Sequence, residues 1–70
     1  MQLWQFYLLH WESTKNDRLR LGQRFVNTYI KEQWPELFYC RKEQDAMWMI
    51  EKWLEDHHYK GDLPQPLERN

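Results

Sequence analysis

One cysteine, Cys40, stands in this chain of 70 residues, so no intramolecular disulfide can staple it, and a reducing, intracellular setting fits best. Glycine is nearly as scarce, with Gly22 and Gly61 alone. Ten Lys and Arg face eleven Asp and Glu, a formal net charge of −1, so no global field draws the chain to nucleic acid or an acidic membrane. The apolar run from Leu3 to Trp11 is far too short to span a bilayer, and it lacks the basic leader and small-residue cleavage site of a signal peptide. No internal repeat or low-complexity tract occurs. The expectation is a cytoplasmic protein of one domain with no membrane partner. A chain this small buries a limited share of its surface, so its core needs a supplement.

Aromatic rings are what the chain has in excess. Trp4, Trp11, Trp34, Trp48 and Trp53 accompany four Tyr and three Phe. Such rings bury much area with few rotatable bonds, in a core or as interface anchors. A domain of this size absorbs only part of them, so the remainder is expected to meet a second molecule.

The periodicity predicts three helices, over residues 2–14, 17–33 and 42–59. Asn16 or Asp17 suits the N-cap of the second, and Lys60 with Gly61 suits the end of the third. Pro35 pushes Trp34 toward an extended conformation, and residues 37–39 form a turn that plugs one end of the core. The first segment also has residues that suit a strand, but it does not alternate cleanly and nothing else in the chain would pair with it. The fold expected is all-α: a small three-helix domain over residues 1–61, its second and third helices a hairpin closed by the Trp-Pro segment, then a mobile tail over 62–70.

At about 100° per residue each helix sorts into faces. In the first, Leu3, Phe6, Tyr7 and His10 point one way, while Trp4, Leu8 and Trp11 lie beside them and Leu9 further round. So broad an apolar girth suggests a second chain packing there, a homodimer included. In the second, Leu19, Leu21, Gly22, Phe25, Val26, Tyr29 and Ile30 share one side. Gly22 costs about 1 kcal/mol of helix propensity and lets a neighbour approach closely. The other side carries Arg20, Arg24, Asn27 and Lys31, a basic stripe. In the third, Ala46, Met47, Met49, Ile50, Trp53, Leu54 and His57 form the apolar arc. Trp48 falls outside it, among charged neighbours, and is either covered by the 34–39 segment or anchors a partner.

Chemistry is thinly represented. His10, Cys40, His57 and His58 match no structural zinc spacing, and adjacent His57 and His58 diverge on a helix, so no metal or other cofactor is expected. His57 then lines the core edge and His58 stabilises a helix C-terminus. Arg41 and Lys42 follow Cys40, but nothing supplies a base or an orienting group for a nucleophile, and Cys40 reads as a half-buried small residue. Glu51 and Glu55 read as solvated surface, with Asp56 and Lys60 an i,i+4 ion pair. No catalytic residues are assigned, and an enzyme is not expected. The stripe of Arg20, Arg24, Asn27 and Lys31 can follow phosphates, yet three cations are few for a nucleic-acid binder.

The stretch 20–27 (Arg-Leu-Gly-Gln-Arg-Phe-Val-Asn), Tyr29-Ile30, the segment Trp34-Pro35-Glu36-Leu37-Phe38-Tyr39, and Ala46, Ile50, Trp53, Leu54, Asp56 and Tyr59 resemble small accessory proteins encoded in phage and prophage genomes. The resemblance covers about two-thirds of the chain and brings no catalytic residues. It implies a phage–host setting, with a small protein that binds and modulates a host or phage macromolecule. The leading expectation is a non-enzymatic protein-binding module, a modulator or inhibitor of a host protein. Its candidate partner-binding residues are Trp4, Trp11 and Trp48, with Arg20, Arg24, Asn27 and Lys31 giving polar register. The alternative is a nucleic-acid-binding regulator that uses the basic stripe.

Overall fold

The computed structural model describes residues 1–67. Four helices follow one another: α1 (Leu3–Ser13), α2 (Leu21–Tyr29), the single turn α3 (Pro35–Phe38) and α4 (Glu43–Asp56). The only extended pairing among the described residues is an isolated antiparallel bridge between Gln2 and Asp62. The all-α expectation holds, with the 34–39 segment contributing a short helix of its own. No described helix is long and apolar enough to cross a membrane.

Both longer N-terminal helices open in the same way. The amide of Gln2 donates to Gln5 Oε1 at 2.8 Å, and that of Arg20 donates to Gln23 Oε1 at 3.1 Å. A glutamine three residues in thus reaches back to the N-cap amide, half of a capping box. α2 is shorter than its periodicity predicts at both ends. Asp17 does not cap it. Its Oδ1 accepts from the Leu19 amide at 3.2 Å, a local turn that competes with helix, so the chain stays extended until Arg20. At the far end the Thr28 carbonyl accepts from the Leu67 amide at 2.8 Å. A continued helix would have given that carbonyl to residue 32.

α2 is the central element, packed against α1, α3 and α4. Phe25, Leu37 and Ile50 are fully buried, with Ala46, Leu54, Leu21 and Phe6 around them. The hairpin of α2 with α4 is closed by α3, as expected. Pro35 occupies the first helical position, where its missing N–H costs nothing, and it delivers Leu37 into the core. Gly22 makes this closure possible: a β-carbon there would stand 2.0 Å from the Leu37 carbonyl oxygen. Leu3, Phe6, Tyr7 and His10 are the buried residues of α1, the inward face that the periodicity assigned.

α4 stops at Asp56, three residues before its expected end. His58 adopts φ 64°, its amide donates to Glu55 O at 3.1 Å, and the Tyr59 amide donates to Leu54 O at 2.9 Å. This is a Schellman motif with histidine, rather than Gly61, at the left-handed position. Tyr59 completes it by stacking on Trp53, ring centroids 5.9 Å apart. His57 is exposed instead of lining the core edge, though it too stacks on Trp53, at 4.3 Å. Lys60 stands past the helix end at φ 46°, off the register that an i,i+4 pair with Asp56 requires.

Beyond Gly61 the described chain forms no helix, and instead of the mobile tail expected it is docked as far as Leu67. Leu3 N donates to Gly61 O at 2.8 Å, Leu63 N donates to Met1 O at 3.0 Å, and Leu63 is buried in the core cluster. The core therefore reaches past residue 61. The part of the tail expectation that falls on Glu68, Arg69 and Asn70 lies outside the described residues.

Candidate functional site

α4 turns Ala46, Ile50 and Leu54 into the core at four-residue steps, with Met47, Met49 and Trp53 half-buried beside them. Trp48 projects from the remaining side and is 64% exposed. The 34–39 segment does not cover it. Trp48 instead walls a hollow of about 260 Å³ with Trp34, Met49, Lys52, Trp53 and Asp56. Trp34 also walls an adjoining hollow of about 320 Å³ with Val26, Gln33, Pro35, Phe38 and exposed Tyr39. One shallow surface results, with Trp34 as its shared ridge.

The rings here are held differently. Trp53 is fixed by His57, by Tyr59 and by the edge of Phe25 at 5.7 Å. Pro35 sets the backbone that carries Trp34. Trp48 has no ring partner among the described aromatic contacts.

Trp4 and Trp11 are exposed too, but on α1, with Met1, Leu8 and Leu9. Trp4 Nε1 donates to Gln2 Oε1 and Trp11 Nε1 donates to Glu43 Oε1, each at 2.6 Å. Met1, Trp4, Gln5, Leu8 and Leu9 line a hollow of about 580 Å³. It shares no residue with the Trp48 surface; Trp11 lines neither hollow and lies by helical spacing on the outward side of α1 with Trp4 and Leu8, so the three outward tryptophans fall on two faces.

The basic stripe does not form as one free face. Arg24 turns inward: its Nε donates to His10 Nδ1 at 2.8 Å and its Nη2 pairs with Asp17 Oδ1 at 2.5 Å, leaving the side chain 18% exposed. Asn27 is half-buried, and Lys31 lies beyond the helix that was to carry it. Arg20, the N-cap of α2, and Lys31 are the exposed members.

The cluster of His10, Asp17 and Arg24 is what periodicity alone missed. It placed His10 inward but offered no partner for it. Acceptance at Nδ1 puts the proton of a neutral imidazole on Nε2. Burial pushes the His10 pKa below its ordinary value, and the Arg24 guanidinium adds to this against the pull of Glu43 and Asp17. At Asp17 burial opposes the charge, but the Leu19 amide and Arg24 outweigh it and hold the carboxyl below its usual range. With His10 buried, the cluster ties α1, the following loop and α2 together.

Tyr7 was also unflagged. Its hydroxyl is buried with no hydrogen-bond partner among the described residues, and burial, with Glu51 and Glu43, drives its pKa upward. Cys40 is half-buried and its thiol donates to the Lys42 carbonyl at 3.3 Å. Among the described residues no group of three His, Cys, Asp or Glu is placed to hold a metal ion. No protein-family model, curated protein or solved structure matches this chain, and the two aromatic faces are the ground on which a function must be argued.

Proposed function

We propose that this chain is a non-enzymatic protein-binding module that engages its target through the surface built by Trp34, Tyr39 and Trp48. The observation that carries this reading is Trp48 itself, 64% exposed and lining one of two hollows that share Trp34 as a wall. Trp and Tyr at such sites supply most of the affinity of protein interfaces, and charged residues at the rim supply orientation. Lys52 and Asp56, one of each sign, fill the rim position. The target is a host or phage protein in the cytoplasm of the infected cell, modulated by occlusion; that class of partner comes from the resemblance to phage accessory proteins. The nucleic-acid reading is the weaker one, because Arg24 spends its charge on Asp17 and His10.

Affinity capture from host cells with the wild-type chain and with Trp48→Ala tests this reading. The variant should lose the captured protein while unfolding within about 0.5 kcal/mol of wild type, the ordinary range for a surface substitution. Unchanged capture would refute the assignment. So would a stability loss of several kcal/mol, the mark of a core ring. Binding that instead tracks generic DNA with a steep salt slope would favour the phosphate-following alternative.

A further inference from the structure

α1 is apolar on two sides. Its inward residues are buried, yet Met1, Trp4, Leu8, Leu9 and Trp11 remain between 44% and 60% exposed. The outward helical residues Trp4, Leu8 and Trp11 recur at steps of four and three, and Met1 stands just before the helix. That is the a/d spacing of a helix made to pack along a second helix. We propose that this seam is the interface of a homodimer, α1 packed on α1 of a second copy about a two-fold axis near Leu8.

Charge is the first argument for a second copy rather than a foreign helix. No Asp, Glu, Lys or Arg occurs from Met1 to Trp11. Helices that pair selectively with different partners use charges flanking the seam, and they reject themselves by like-charge contacts. The seam residues themselves carry no charge to reject a second copy, and Glu43, Glu51, Lys60 and Asp62, which stand beside Trp11 and Trp4, are of both signs. A two-fold axis brings like against like without repulsion, and antiparallel helices set opposite dipole ends side by side.

Area is the second argument. The exposed parts of Met1, Trp4, Leu8 and Trp11 total on the order of 500 Å². A standard interface covers about 800 Å² on each partner, apolar at the centre with a polar rim. The seam supplies that centre, and Gln2, Gln5 and Glu12 supply the rim.

Preorganisation is the third. Both indole N–H groups are already satisfied, by Gln2 and Glu43, so burying the rings leaves no donor unpaired. Trp11 also lies against Tyr7 at 6.2 Å, so part of its freedom is lost before association. A pair joined in this way carries two Trp48 surfaces, since the two faces share no lining residue.

Sedimentation equilibrium of the full chain tests the pairing. Wild type should run at twice the 9.0 kDa chain mass as concentration rises. Leu8→Glu and Leu8→Lys should each run as monomers with unchanged helical circular dichroism, and mixing the two should restore the dimer. Trp48→Ala should remain dimeric, which separates this face from the target-binding one. A wild type that stays at one chain mass at every concentration, or a folded Leu8→Glu that still dimerises, overturns the proposal. Dissociation by Trp48→Ala with Leu8→Glu still paired overturns it as well, by moving self-association to the other face. Should both Leu8 variants lose their helical signal, Trp11→Gln and Trp4→Gln take their place, and a dimer undiminished by both overturns the seam.

Discussion

His10 shows how a polar residue can occupy a core face without being a ligand. Its ring is buried and neutral, with Nδ1 filled by Arg24 and Arg24 filled in turn by Asp17. Helical spacing makes its inward direction legible, since it falls in line with Leu3, Phe6 and Tyr7. The partner was not legible, because Arg24 belongs to another helix and its register reads as part of a solvated stripe. A titration consequence follows. Burial lowers the folded pKa of His10, so the unfolded chain binds the proton more readily. The stability due to the neutral ring is complete above the unfolded value of about 6.5 and is lost as pH falls from there toward the folded value. Asp17, also depressed, adds a second loss at more acidic pH, below the ordinary carboxylate range. Urea midpoints taken from about pH 8 to about pH 5 should begin to decline near 6.5. A midpoint that stays level over that interval would contradict the buried neutral imidazole.

At the scale of elements, local chemistry set what each helix buries but not where it stops. The inward face of α1 and the buried positions of α2 and α4 follow from a period of 3.6. The ends depend on contacts that no window of sequence contains. Asp17 reads as an N-cap, yet it bonds Leu19 and Arg24 and delays α2 to Leu21. Leu67, far along the chain, claims the Thr28 carbonyl. Gly61 reads as the left-handed cap of α4, but Tyr59 is drawn to Trp53 and places His58 there instead. Gly22 is the element-scale feature that did show: a glycine amid an apolar arc marks a close approach, and α3 makes it. Alanine there would gain about 1 kcal/mol of helix propensity. Its methyl would also sit 2.0 Å from a backbone oxygen that cannot swing away. The clash dominates, and Gly22→Ala should lose about 1–3 kcal/mol net, the range for overpacked cores. Chemical denaturation checks it; a variant as stable as wild type would mean that α3 does not rest on α2 as described.

Over the whole molecule, a chain with a single cysteine adds two supplements to a small core, and the pairing proposed along α1 would add a third. The segment after Gly61 bonds Met1, Leu3 and Thr28 and buries Leu63. Aromatic packing joins Phe6, Phe25, Tyr29 and Trp53 through the interior. The excess of rings in the sequence announced that some would face outward, and Trp4, Trp11 and Trp48 do so. That they divide between two faces could not be read without knowing which side of α4 lies toward α1. The central claim is that the Trp48 surface is occupied by another protein when the chain is at work. Hydroxyl-radical footprinting in the native host cells, set against the dilute purified chain, tests this most directly. The account predicts that Trp48 oxidises readily in the purified chain and becomes protected in cells, while Trp53 reacts equally in both. Trp48 oxidised to the same extent in both settings would contradict it.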